Sequence, residues 1–252
     1  MHALPPIDAV AFDLDGTLLD SAPDIGRALN SALAQEGLRR VDLATVLGWI
    51  GDGPDVLIAR ALAAQGMPAD DGRPQVAALR GRLRRAFDVA TLSAPLVDGK
   101  VFPGVHALLA ALHGALPMVV VTNKPTPLAR AVLGAADLLP WVAQVHGADT
   151  AALRKPAPAM LLAAAQQLGI EPQRLLMVGD GPADMLCAEA AGCPAALVAW
   201  GYGAHAVPAH LSPRHVATPH QLLGALRAAL LDGLPAGALI NAQRGRGRIV
   251  TS

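Results

Sequence analysis

Short apolar runs that end in polar turns recur along this chain. Ile7-Asp8-Ala9-Val10-Ala11-Phe12 runs into Asp13-Leu14-Asp15-Gly16-Thr17, Met118-Val119-Val120-Val121 into Thr122-Asn123, and Leu175-Leu176-Met177-Val178 into Gly179-Asp180. Each run has the length of a buried strand and carries polar side chains at its carboxyl end. Between the runs, apolar residues return at helical spacing, as in Leu161, Leu162, Ala165 and Leu168. Alternating β and α units predict an α/β fold, a doubly wound and mainly parallel sheet with a Rossmann-like core. Ligands bind such sheets beyond the carboxyl ends of the strands, so the polar endings are expected to converge on one crevice.

From Asp20 to about Ser93 the pattern changes. No comparable strand run occurs, and Val76, Leu79, Leu83 and Phe87 recur at helical spacing. Pro23 and Gly37 bracket one helix, Pro54 and Gly66 another. The expected organisation is a catalytic core from residues 1–19 and 96–228, an inserted helical cap at 20–95, and a flexible tail at 229–252. Segments 19–23 and 93–99 join cap to core and are expected to act as hinges. The tail contains Ala242-Gln243-Arg244-Gly245-Arg246-Gly247-Arg248, a Gly/Arg-rich composition that favours a solvated chain.

Composition narrows the function classes. With 53% hydrophobic residues in 252, the chain can bury a full core, and its formal net charge of zero leaves no broad footprint for nucleic acid or an anionic membrane. Cys187 and Cys193 are too few for a disulfide framework and are expected as buried, reduced thiols. The first residues lack the basic and then apolar pattern of a secretory signal. The stretch from Ala190 to Pro213 has no Asp, Glu, Lys or Arg, but its Gly, Pro and His breaks fit a loop, a short strand and another loop better than a membrane span. A cytoplasmic protein acting on a small molecule is the expectation, with a homodimer left open. The eight histidines show no metal-ligand spacing, and Trp49, Trp141 and Trp200 read as core or interface residues.

Asp13 and Asp15 alternate at the end of the first run, which can bring two carboxylates to one side. Alone, that pair reads better as a solvated strand end or turn. In combination with Thr122-Asn123, Lys155-Pro156 and Gly179-Asp180-Gly181-Pro182-Ala183-Asp184 along a βα pattern, it resembles the four motifs of the haloacid dehalogenase-like hydrolases. The segment Asp13-Leu14-Asp15-Gly16-Thr17-Leu18-Leu19-Asp20-Ser21 is similar to the first motif of the phosphatase branch. The segment from Gly48 to Leu62, with Thr122-Asn123-Lys124-Pro125-Thr126-Pro127 and Gly201-Tyr202-Gly203, resembles the phosphoglycolate phosphatase family.

This resemblance implies a magnesium-dependent phosphatase working through an aspartyl-phosphate. A phosphate monoester hydrolyses so slowly that an enzyme must lower its barrier by on the order of 20 kcal/mol. The resemblance makes Asp13 the nucleophile and Asp15 the acid and then base, its protonation favoured by neighbouring carboxylates. Lys155 balances charge. The metal ligands would be Asp13, the Asp15 carbonyl and Asp180, with Asp184 on the outer side, where it also suits a helix N-terminus. Thr17, Thr122 and Asn123 are expected to bind phosphoryl oxygens; Gly51, Gly53 and Arg60 are the cap's candidates for contacting the small phosphorylated substrate. Of only three lysines in the chain, Lys124 and Lys155 fall inside motif segments.

One position departs from the pattern. The family usually carries serine directly after the first aspartate of the fourth motif, and Gly181-Pro182 follows Asp180 here. That puts the rigidity of this loop in question. Other readings are a phosphatase for a sugar or amino-sugar phosphate, a phosphosugar mutase, and a non-catalytic binding module. Thr17 speaks against the mutases, which tend to carry valine there. Asp15 speaks against a dehalogenase, because that branch lacks the second acid.

Overall fold

The computed structural model describes residues 4–67 and 73–232. Its strands are β1 (Ala9–Phe12), β2 (Leu19–Asp20), β3 (Lys100–Val101), β4 (Met118–Thr122), β5 (Gln144–Gly147), β6 (Leu175–Gly179), β7 (Ala195–Val198) and β8 (Arg214–Val216). Its α-helices are α1 (Ala22–Gln35), α2 (Leu43–Leu47), α3 (Pro54–Ala64), α4 (Pro74–Ser93), α5 (Val105–Leu112), α6 (Thr126–Ala135), α7 (Ala159–Leu168), α8 (Pro182–Ala191) and α9 (Pro219–Asp232). The Gly/Arg-rich segment 242–248 lies outside the described residues. Helix α9 continues through residues 229–232, past the expected end of the core.

Six strands make one parallel sheet in the order β5-β4-β1-β6-β7-β8, as the alternating pattern predicts. β1 is interior to it, with Val10 opposite Met118 on one side and Leu176 on the other. The residues that follow β1 therefore emerge between the ends of β4 and β6. Alternate side chains leave the strands on opposite faces. Val10, Phe12, Val120 and Val178 pack with α5, α6 and α9; Ala11, Val119, Val121 and Met177 pack with α7 and α8. A strand buried on both faces reads as a continuous apolar run, which is why β1, β4 and β6 stand out in the sequence. β5 and β8 at the edges are polar or short, and no run marks them.

Helices α1–α4 lie between β2 and β3, which pair as a small antiparallel ribbon. They share their own apolar core, including Leu29, Leu33, Ile58, Leu62, Leu83 and Phe87. Burying each such side chain contributes about 1.5–3 kcal/mol. Leu128 of α6 joins that core, so the four helices rest on the sheet domain through it. Pro23 falls in the first turn of α1 and Pro54 opens α3, while Gly37 and Gly66 follow the two helices with positive φ.

Where the chain returns from α4, Asp24 ties it down. Its carboxylate accepts from the N–H groups of Val97 at 3.0 Å, Asp98 at 3.3 Å and Gly99 at 2.7 Å, and pairs with Arg27 at 2.7 Å. Burial alone pushes the Asp24 carboxyl up, but Arg27 and these N–H groups outweigh it and hold the group below the ordinary range.

Candidate active site

Asp13 and Asp180 directly follow β1 and β6, Thr122 ends β4, Asp184 sits in the first turn of α8, and Lys155 comes from the loop between β5 and α7. The crossing order of the sheet brings them together. Lys155 is 2% exposed, and its ammonium donates to Asp13 Oδ1 at 2.7 Å, Asp184 Oδ1 at 2.6 Å and the Val121 carbonyl at 2.9 Å. All three of its protons are taken. Ligand atoms of Asp13, Asp180 and Asp184 lie within 4.8 Å of one another.

Three carboxylates against one ammonium leave this buried group two charges negative when fully ionised. The strain appears as protons. Burial, with Asp184 and Asp180 adding to it and Lys155 opposing, pushes Asp13 up to about 8. Burial and Asp184 push Asp180 up to about 6, against the N–H groups of Tyr202 and Gly203. For Lys155, burial pulls the ammonium down, and Asp13 with Asp184 more than reverses this, so it is held charged. A compact all-oxygen donor set with excess negative charge suits a hard divalent cation. The three aspartates could hold one.

The loop after β1 is fixed against Asp180. Thr17 Oγ1 reaches Asp180 Oδ1 at 3.4 Å, and Asp180 Oδ2 accepts from the N–H groups of Tyr202 at 2.6 Å and Gly203 at 3.2 Å. Gly16 has φ +90°, and a Cβ there would fall on the Asp180 carboxylate, so only glycine lets this backbone pass so close. Trp200 Nε1 donates to the Thr17 carbonyl at 3.0 Å from behind. The Tyr202 hydroxyl donates to Asp20 at 2.9 Å and accepts from the Ala22 N–H at 3.2 Å, at the junction with α1. Asp184 accepts from the Gly181 N–H at 3.1 Å, and Pro182 opens α8. The Gly181-Pro182 loop is thus pinned at both ends, and Asp184 serves the helix terminus and Lys155 at once.

Asp15 has different company from that expected. No carboxylate faces it among its hydrogen-bonding partners; Lys124 Nζ donates to both of its oxygens at 2.5 and 2.6 Å, and Ser21 Oγ donates to Oδ1 at 2.5 Å. The turn after Phe12 sends Asp13 towards Lys155 and Asp15 towards the cap side. Thr122 Oγ1 accepts from the Lys124 N–H at 3.2 Å. The Asn123 amide is turned to main chain rather than to an open site: it donates to the carbonyls of Gly51 at 2.8 Å and Lys155 at 3.1 Å and accepts from the Lys155 N–H at 2.7 Å. It joins the Gly51 loop of the inserted segment to Lys155.

Two cavities flank the aspartate pair, and both Asp13 and Asp15 line each. The smaller, of about 40 Å³, is lined by Trp49 after α2, Leu57 of α3 and Phe87 of α4 with Thr122 and Lys124 of the core. The larger, of about 310 Å³, runs past Asp180, Asp184, Tyr202 and Arg60. Gly51 lines both, and Gly53 lines the smaller. Gly53 has φ +81°, and a Cβ on it would stand 2.8 Å from the Asn123 carbonyl oxygen. Arg60 donates to the Trp49 carbonyl at 2.9 Å and pairs with Asp52 at 2.6 Å.

Sequence reasoning named Lys124 for its rarity and quoted Ser21 and Tyr202 within motif segments, but gave none of the three a task. Trp49, Trp141 and Trp200 pack against the apolar cores as expected; Trp200 also supports the loop after β1, and Trp49 also walls the small cavity. The signal available for Lys124 was its place in a motif of a lysine-poor chain. Cys187 and Cys193 are buried free thiols pushed up by burial to about 12 and about 11. No described helix is long and apolar enough to cross a membrane.

A family model described as haloacid dehalogenase-like hydrolase matches residues 7–192. The chain belongs to that family. Within it, the chain is 43% identical over 195 residues to the phosphoglycolate phosphatase of Rhodospirillum rubrum, covering 77% of this chain and 80% of that one. It is 40% identical over 215 residues to the phosphoglycolate phosphatase of Escherichia coli K12, covering 80% and 85%. The crystal structure of a predicted phosphoglycolate phosphatase from Haemophilus somnus matches with a TM-score of 0.78 at 27% identity, over 88% of this chain and 98% of that one. A predicted phosphatase from Clostridium acetobutylicum shares the fold, with a TM-score of 0.71 at 23% identity over 88% and 99%. This family member groups with the phosphoglycolate phosphatases, and the acidic cluster stands where hydrolase chemistry needs it.

Proposed function

We propose that the chain is a phosphoglycolate phosphatase, hydrolysing 2-phosphoglycolate to glycolate and phosphate. One observation carries the reading: Asp13 lies 2.7 Å from the buried Lys155 and within a cluster of three carboxylates, in a chain about 40% identical to phosphoglycolate phosphatases. The catalytic roles are those that the family resemblance gives these positions, and the placement supports them. An Asp13 oxygen attacks phosphorus, the bond from phosphorus to the glycolate oxygen breaks, and Asp15 gives that oxygen a proton. Water then attacks the aspartyl-phosphate and passes a proton to Asp15 as the bond to Asp13 breaks. Lys155 aims Asp13 and offsets its charge, and Thr122 with Thr17 supports the phosphoryl oxygens.

Magnesium is the proposed cation, held by Asp13, the Asp15 carbonyl and Asp180 with Asp184 outside them, and when bound it supplies charge neutralisation for the dianionic ester. Residues 20–95 act as the cap over the site. The reduced, buried thiols are in keeping with a cytoplasmic setting.

The test is phosphate release from 2-phosphoglycolate and from a panel of sugar and amino-sugar phosphates, with and without magnesium, beside Asp13→Asn. Magnesium-dependent release that favours 2-phosphoglycolate and falls by on the order of 10³-fold or more in the variant is the expected result. Equal inertness of wild type and variant across the panel sinks the reading.

A further inference from the structure

We infer that Lys124 binds the carboxylate of the substrate's leaving group and so sets the specificity of the reaction. This rests on the phosphoglycolate reading above and adds the residue that recognises the acid.

Lys124 is 6% exposed and is the cation among the described residues that line the small cavity. The rest of that wall is apolar or neutral apart from Asp13 and Asp15: Trp49, Ile50, Leu57 and Phe87 with Thr122 and Asn123. An ammonium has three donors. Two reach the oxygens of Asp15, and among the described residues no acceptor takes the third. Asp15 meets the charge, and the third donor of this buried ammonium, at the wall of a cavity, is open to a ligand acceptor.

The wall agrees with this. The cavity is small and lined mostly by apolar side chains around that cation, which suits a short leaving group that carries a single negative charge. The connectivity of the ester agrees as well. In 2-phosphoglycolate the carboxyl carbon is two bonds from the oxygen that Asp15 protonates. A cation in contact with both oxygens of Asp15 is therefore within reach of that carboxylate while Asp15 faces the leaving oxygen.

The rival cation is Arg60. Its guanidinium is bound by Asp52 and the Trp49 carbonyl, its side chain is 37% exposed, and it lines the larger cavity. Anchored there, it shapes the cap loop.

The deciding measurement is kcat and KM of wild type, Lys124→Met and Arg60→Met on 2-phosphoglycolate and on 2-hydroxyethyl phosphate, with saturating magnesium. The second ester replaces the carboxylate by a neutral hydroxymethyl group. Any damage done through Asp15 falls on both esters and cancels in their ratio. The ratio of kcat/KM is expected to favour 2-phosphoglycolate in wild type and to fall on the order of 100-fold in Lys124→Met, while Arg60→Met moves it far less. Lys124→Gln, which keeps donors without the charge, gives the same fall and serves where the methionine variant does not fold. An unchanged ratio in the Lys124 variants, or a fall carried by Arg60→Met, overturns the assignment and leaves the phosphatase reading intact. A wild type that cleaves 2-hydroxyethyl phosphate and not 2-phosphoglycolate overturns the phosphoglycolate reading itself.

Discussion

Lys155→Met removes an ammonium that three acceptors share and puts an uncharged side chain of similar length in its place. Asp13 and Asp184 lose partners at 2.7 and 2.6 Å, and the Val121 carbonyl loses one at 2.9 Å. Breaking a buried ion pair by removing one member costs about 3–5 kcal/mol. The cost depends on pH, and its sign can be worked out. Asp13 and Asp180 titrate near 8 and 6 in the folded metal-free protein against 3.8 for an ordinary aspartate. Folded protein therefore binds more protons than unfolded chain between about pH 4 and 8, and its stability falls as pH rises through that window. Lys155 opposes both shifts, so losing it raises the two groups further and steepens the fall. Its own stabilising contribution, from a pKa raised above 10.5, is fully present below that value and stays constant from pH 5 to 8. Urea unfolding in EDTA should show a deficit of about 3–5 kcal/mol at pH 8 and a clearly smaller one at pH 5, where Asp13 and Asp180 carry protons. A deficit under about 1 kcal/mol at pH 8, typical of an exposed pair, or one equal at both pH values, would refute the reasoning.

The same shifts predict that divalent metal displaces protons. At pH 7 Asp13 is mainly protonated and Asp180 mainly ionised, so binding magnesium should release about one proton, measured by calorimetry in two buffers of different ionisation enthalpy; no buffer dependence at pH 7 rules this out. Gly53→Ala should cost about 1–3 kcal/mol from its left-handed backbone alone and lower kcat/KM, because the new methyl meets the Asn123 carbonyl. Gly51→Ala, also at positive φ but with nothing within 4 Å of its Cβ, is the control in thermal melts and kinetics. Equal losses in both would remove the contact from the explanation.

The sheet was legible because its interior strands are apolar on both faces, so β1, β4 and β6 appear as unbroken runs with their catalytic endings attached. β5 and β8 carry no such run, since one side of each meets solvent or loop. Asp13, Asp180, Asp184 and Lys155 were legible as a set because the order of βα units puts their loops at one edge. Asp15 lines both cavities with Asp13, but its hydrogen bonds go to Lys124 and Ser21: spacing says which edge a residue reaches, not which side of a tight turn its carboxylate leaves. Asn123 illustrates the same limit, since its amide is consumed by the main chains of Gly51 and Lys155. Lys124 and Tyr202 act through contacts between segments far apart in sequence, with Asp15 and Asp20, and local pattern does not encode those.

Tyr202 and Asp24 have a joint consequence for mechanics. Tyr202 clasps Asp20 and Ala22 where the chain leaves the sheet domain, and Asp24 clasps residues 97–99 where it comes back. The two sets meet at one junction, since Asp20 pairs with Lys100 and a Cβ on Gly99 would touch both the Asp20 carbonyl and Asp24. Lifting α1–α4 straight off the sheet would break both sets, and hydrogen bonds to charged groups are worth about 1.5–3 kcal/mol each. Tyr202 also donates its N–H to Asp180, so the residue that fastens the inserted helices is the one that braces the acidic cluster.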